Sequence, residues 1–241
     1  MPGRLVFVAT PIGNLEDLSP RAAAALAAAD RVACEDTRHT GRLLHHLGIK
    51  KPLVSLHEHN ERRRLPELLA ALDAGETIAV ASDAGTPLLS DPGFPLARAA
   101  AEAGHRIEAI PGPSAILVAL VVSGLPPYPF TFAGFAPPKS GKRRAFWRRF
   151  GALGHTVVAF ESPHRIGSSL ADAIAELGAD RPAALARELT KLHEEVVRGT
   201  LGDLETAVAG KRPLGEYVLV IGPAAATADA DDEAADDEIS R

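Results

Sequence analysis

The 241-residue chain has one cysteine, one methionine, one tryptophan and only 5% aromatic residues. A lone thiol, Cys34, excludes an internal disulfide framework and a cysteine-based zinc site, and it suits a reducing cytosol. No apolar run approaches the length of about 18 residues that a membrane span needs. The first residues lack a basic stretch followed by an apolar core, so the pattern predicts neither a membrane span nor a leader peptide. A GxGxxG dinucleotide fingerprint and a GxxxxGK(S/T) phosphate loop are also missing, which disfavours a Rossmann NAD site and an ordinary NTPase. There is no internal repeat.

What is present is ordinary in amount and unusual in placement. Apolar residues make up 46% and charged residues 24%, the balance of a soluble globular protein with a sizeable core. The formal net charge of −5 misleads, because seven of the 31 acids sit in residues 229–238 without a base among them. The remaining 24 acids face 26 Lys and Arg, so the body is near +2. Dense like charge and low hydrophobicity predict that this tail is disordered.

Short apolar runs alternate with helical patterns through the first half. Strands are predicted at 5–9, 31–34, 53–56, 77–81 and 106–110, and helices at about 20–29, 40–47, 65–72 and 94–103. Ser19-Pro20 is a good N-cap and first-turn pair, and Gly48, Gly75 and Gly104 close helices. This order implies α/β architecture with a mostly parallel sheet. A helix follows Pro111-Gly112-Pro113-Ser114-Ala115 and ends near Gly124. Leu125-Pro126-Pro127-Tyr128-Pro129 reads as a domain boundary, giving an N-terminal domain 1–124, a mixed C-terminal domain 125–223 and a tail 224–241. Strands at 130–135, 156–160, 183–186, 194–198 and 217–221 and helices at 142–150, 164–177 and 201–209 fill the second domain.

The apolar run 78–80 stops at Ser82-Asp83-Ala84-Gly85-Thr86-Pro87, and Ser90-Asp91-Pro92-Gly93 follows. A strand ending in a carboxylate and a Gly/Pro turn exposes backbone amides where parallel α/β proteins hold small molecules. Similar turns occur at Thr10-Pro11-Ile12-Gly13-Asn14-Leu15, at 111–115 and at Pro213-Leu214-Gly215-Glu216. These turns are joined by Cys34-Glu35-Asp36-Thr37-Arg38, Ser55-Leu56-His57-Glu58-His59-Asn60-Glu61, Phe160-Glu161-Ser162-Pro163-His164-Arg165 and Arg187-Glu188-Leu189-Thr190-Lys191. In this order, across residues 4–223, the segments resemble the tetrapyrrole-methylase-fold family of S-adenosylmethionine (SAM) methyltransferases, the class III fold. Within that family they look like the branch that methylates the ribose 2′-hydroxyl of a decoding-site cytidine in 16S rRNA.

The resemblance implies two α/β domains, SAM as cofactor, 16S rRNA or the small ribosomal subunit as partner, a cytoplasmic enzyme and a homodimer. It implies that Pro11, Asp83, Thr86, Ser114, Ala115, Glu161, Leu189 and Gly215 line a cofactor cleft. Many members of the family carry a further small C-terminal domain, where this chain has the acidic tail.

Methyl transfer asks the protein to align the 2′-oxygen and remove its proton. Glu35, Asp36 and Glu161 are the leading candidates for the base, and His57, Glu58 and Lys191 the others; the sequence does not choose between them. Helix caps, ion pairs and surface charges use the same residue types, and the Asp36/Arg38 spacing would equally suit a loop-anchoring pair. His57 and His59 fall on one side of an extended strand but lack HExxH spacing, so no metal site is assigned.

Lys139, Lys142, Arg143, Arg144, Arg148 and Arg149 put six cations in eleven residues around Phe146 and Trp147, a pattern suited to phosphate contact and base stacking. The alternative is an amphipathic helix with Phe146 and Phe150 inward and the arginines solvated. Arg62-Arg63-Arg64 is a weaker basic run. A porphyrinoid methylase and a non-catalytic RNA-binding assembly protein are the competing readings, and the basic segment speaks against the first.

Overall fold

The computed structural model describes residues 3–210 and 214–224. β1 (Arg4–Val8), β2 (Arg31–Cys34), β3 (Leu53–Ser55), β4 (Thr77–Ala81) and β5 (Arg106–Ile110) form one sheet in the order β3-β2-β4-β1-β5. Every recorded pair in it is parallel. Parallel neighbours need crossovers, and α1 (Pro20–Ala28), α2 (Thr37–His46), α3 (Glu61–Asp73) and α4 (Phe94–Glu102) supply them.

The two-residue period of the strands decides which helices cover which face. Leu5, Phe7, Ile78 and Val80 meet Leu68, Leu72, Leu96 and Ala100 of α3 and α4. Val6, Val8, Ala79 and Ala81, one residue out of phase, meet Ala22, Leu26 and Leu44 of α1 and α2. Ser19 caps α1 as predicted, its hydroxyl accepting the Ala22 N–H at 3.1 Å. The second helix begins at Thr37 rather than Thr40, because Asp36 caps it by accepting the Arg38 N–H at 2.8 Å.

After α5 (Ala115–Ser123) the chain builds a second sheet from β6 (Phe130–Phe135), β7 (Thr156–Glu161), β8 (Pro182–Arg187), β9 (Glu195–Thr200) and β10 (Tyr217–Ile221). Its order is β6-β7-β10-β8-β9, with β6 and β7 parallel and β7 and β10 antiparallel, hence mixed. Trp147 of α6 (Ser140–Gly151), Leu170 of α7 (Ile166–Leu177), Leu204 of α8 (Leu201–Val208) and Leu219 share its core.

The chain divides into two compact units, Met1–Ala119 with Arg187–Glu195, and Leu120–Ala186 with Val196–Arg241. The return of 187–195 to the first unit has no counterpart in the sequence pattern. The acidic stretch 229–238 lies outside the described residues.

Candidate active site

In the first unit, the connection leaving β1 runs towards β2 on one flank of the sheet, and that leaving its neighbour β4 runs towards β5 on the other. Such a divergence opens a crevice at the carboxyl ends of the strands. Three of the predicted turns meet there because β4, β1 and β5 are adjacent. Thr10 and Gly85 exchange both backbone hydrogen bonds at 3.0 Å, and the Thr10 hydroxyl donates to the Ser82 carbonyl at 2.9 Å. The Thr86 hydroxyl donates to the Pro113 carbonyl at 3.3 Å, and the Ala9 N–H to the Ile110 carbonyl at 3.3 Å. Pro11, Asp83, Thr86, Ser114 and Ala115 therefore belong to one continuous hydrogen-bonded rim. Ser114 is buried and sits where a helix cap would, its carbonyl accepting the Val118 N–H at 3.0 Å.

Leu189 joins this rim through the returning segment. A Cβ at Gly13 would lie 2.4 Å from Lys191 Cγ, 2.9 Å from Thr190 Oγ1 and 3.0 Å from the Leu189 carbonyl, so only glycine lets the two loops touch. Glu188 and Thr190 hold positive φ of 51° and 64°, a conformation that non-glycine residues adopt at a cost. Lys191 Nζ lies 2.9 Å from Glu188 Oε1.

The other two residues of the predicted cleft, Glu161 and Gly215, fall in the second unit. Glu161 ends β7 with its side chain 1% exposed. Its Oε1 accepts from the Ser162 N–H and pairs with Arg165, both at 2.8 Å. Its Oε2 is buried and has no hydrogen-bond partner among the described residues. Gly215 has φ +86° in the turn before β10.

Beside the rim, at the ends of β2 and β4, lies a hollow lined by Cys34, Glu35, Leu56, Ser82, Asp83, Pro87, Asp91 and Pro92 among others. Asp83 belongs to both rim and hollow, and its Oδ1 accepts the Asp36 N–H at 3.2 Å. The leading base candidates separate here by environment. Asp36 is consumed by Arg38, 2.9 Å away, and that guanidinium holds its carboxyl well below the usual range. Glu35 is exposed as a residue, yet partial desolvation of its carboxyl pushes it up, Asp83 and Asp91 push it further, and Glu35 has no ion-pair partner among the described residues. Burial raises the Cys34 thiol, which leaves it a packing residue.

Asp91 is the member of this group that sequence reasoning did not assign, although Ser90-Asp91-Pro92-Gly93 stood out. Its carboxyl contacts the Ser82 hydroxyl, which also reaches the Ala84 carbonyl at 2.9 Å. Burial and the Asp83 charge raise the pKa of Asp91.

The basic segment forms α6, and its cations split. Arg143 is 4% exposed and reaches Asp172 at 2.7 Å and the Pro138 carbonyl at 3.1 Å, so it has no surface to offer a phosphate. Arg144 and Arg148 share Glu176 at 2.6 and 2.7 Å. Lys139, Lys142 and Arg149 stay exposed. The rings of His57 and His59 lie 6.0 Å apart, and among the described residues no cluster of His, Cys, Asp or Glu suited to a metal ion occurs.

With these features in place, comparison with known proteins assigns the class. Residues 4–205 match the family model of tetrapyrrole (corrin/porphyrin) methylases, and the chain belongs to that family. Similar folds are seen in diphthine synthase, with a TM-score of 0.72 at 20% identity covering 92% of this chain and 90% of that one. Uroporphyrin-III-C-methyltransferase from Thermus thermophilus gives 0.62 at 25% identity, covering 91% and 94%. Within the family, the chain is similar to proteins named ribosomal RNA small subunit methyltransferase I. The relative from Xylella fastidiosa is 49% identical, over 93% of this chain and 83% of its own length. That from Mycobacterium tuberculosis is 50% identical over 92% and 79%, and that from Escherichia coli O157:H7 is 47% identical over 91% and 77%.

Proposed function

We propose that the chain is a SAM-dependent methyltransferase that modifies the ribose 2′-hydroxyl of a cytidine in the decoding region of 16S rRNA, as free RNA or in the small subunit, in the cytoplasm. The observation that carries the reading is the pairing of a glycine-rich, hydrogen-bonded rim with an acid-lined hollow through the shared Asp83. The relatives' names, at about half identity over more than nine-tenths of the chain, favour rRNA as substrate.

The residues present fit the cofactor. Pro11, Asp83, Thr86, Ser114, Ala115 and Leu189 would hold it in the first unit. When bound, SAM supplies a methyl group already activated by its sulfonium. The protein's part is then positioning and proton removal. Glu35 is assigned as the base: it takes the proton that the 2′-oxygen sheds as its new bond to carbon forms, and Asp83 and Asp91 keep its proton affinity high. Asp36 starts α2. A homodimer is proposed through α5, whose Leu117 and Val121 are 53% and 78% exposed.

The test is tritium transfer from labelled SAM to small subunits from a strain lacking the modification, beside free 16S rRNA and a porphyrinoid precursor. Label on the 2′-oxygen of one decoding-region cytidine is the expected result. Label in the porphyrinoid alone, or none anywhere, overturns it.

A further inference from the structure

The loops that border the acidic hollow do not end there. Residues 57–60 run directly into α3 and residues 90–93 into α4, and the two helix starts are tied by the Gly93 N–H donating to Glu61 Oε2 at 3.1 Å. On this joint sit Arg62 and Arg63, the second and third residues of α3, both exposed and neither in an ion pair among the described residues. Beside them, Phe94 opens α4 with 65% of its surface in solvent, and Leu89 is 43% exposed. Phe94 and Leu89 together give this joint an open apolar face near exposed guanidiniums.

The rest of the molecule shows how unusual this pairing is. Of the six cations of the α6 region, one is buried against Asp172 and two share the single carboxylate of Glu176. The aromatic side chains beside them, Phe146 and Trp147, face the core. The open ring nearest in sequence, Phe135, is 54% exposed and packs against Phe160 with centroids 5.3 Å apart. The α3–α4 joint offers charge and an open ring together, at the lip of the hollow where Glu35 lies.

We propose that the α3–α4 joint is a single-stranded RNA contact, with Arg62 and Arg63 on phosphates and Phe94 stacked on a base next to the nucleotide held in the hollow. This rests on the RNA-methylating reading above. The chemistry points to the occupant: two exposed guanidiniums and an open aromatic ring on one joint suit a phosphate backbone with π-faces, even with Glu58 and Glu61 beside them, and a second copy of this chain would set arginine against arginine near its symmetry axis. A nucleotide displaced from a helix needs its neighbours held by such stacking, because their own stacking partner has been removed.

The experiment measures KM and kcat on unmethylated small subunits, and the salt dependence of binding to a 12-residue oligocytidylate, for the wild type, Phe94→Ala, Phe94→Trp and Arg62→Ala/Arg63→Ala. Phe94→Ala should weaken RNA binding roughly ten- to hundredfold, Phe94→Trp should restore it, and both should leave SAM affinity and the melting midpoint in place. The double arginine variant should lower the slope of log K against log salt by about 1.4. Unchanged RNA parameters in a wild type that does methylate RNA overturn this inference alone. A change of sedimentation on Phe94→Ala overturns it in favour of a contact between copies. Phe94-dependent binding without methyl transfer upholds the surface and sinks the enzymatic reading.

Discussion

At the residue scale, the candidate site is a problem in sorting carboxyls. Glu35 and Asp36 are neighbours in sequence, yet one lies on the hollow and the other is held by a guanidinium and a helix start. Their variants should differ in kind. Glu35→Gln should lower kcat by about 10²- to 10⁴-fold with SAM affinity nearly unchanged, measured by single-turnover methyl transfer and calorimetry. Asp36→Ala should chiefly cost about 1 kcal/mol of stability through the lost cap, read from urea unfolding. The sign of the pH dependence follows from the direction of the Glu35 shift. A base whose folded pKa is raised is protonated up to a higher pH, so activity should climb with pH through a limb displaced above the ordinary glutamate range near 4.3. Glu35→Gln should abolish that limb. The order of motifs told where the acids would gather. It did not tell them apart, because the difference is made by desolvation of Glu35 and by Arg38 on Asp36, with Asp83 and Asp91 adding to it once β2 and β4 are paired.

Elements were legible to the extent that their signals are local. β2, β4, β5, β6 and β10 fall on their predicted residues, because each is a short apolar run bounded by turn residues. Helix ends moved where a cap outranked hydrophobic spacing, as at Asp36. The clearest departure is in α6. Phe146 packs on the core and Phe150 is half-buried, as the amphipathic alternative has it, but the most deeply buried side chains are Trp147 and Arg143, one of the six cations expected to meet RNA. The reason lies on α7, where Asp172 and Glu176 meet the arginines, and no pattern within α6 encodes it. Arg143→Ala should therefore lower stability by about 3–5 kcal/mol by leaving Asp172 without its partner. Lys142→Ala should leave stability alone. Chemical denaturation of the two variants side by side is the check.

The whole molecule is organised by a chain that leaves its first unit at Ala119 and comes back for residues 187–195. Gly13 is the notch into which that segment settles. Gly13→Ala should cost about 1–3 kcal/mol by overpacking and should speed hydrogen exchange in 187–195 more than elsewhere, measured by mass spectrometry. The composition of residues 187–195 does not announce this return, since a segment's own composition does not say which sheet it will join. The consequence reaches back to synthesis. A unit whose last piece is encoded after residue 186 cannot be completed as it leaves the ribosome. At roughly 5–20 residues per second, the turn at Gly13 waits about 4–15 s between the emergence of residue 119 and that of residue 195. Through that interval the loops that will form the rim are exposed in a nascent chain, open to chaperones and proteases that never meet the finished protein.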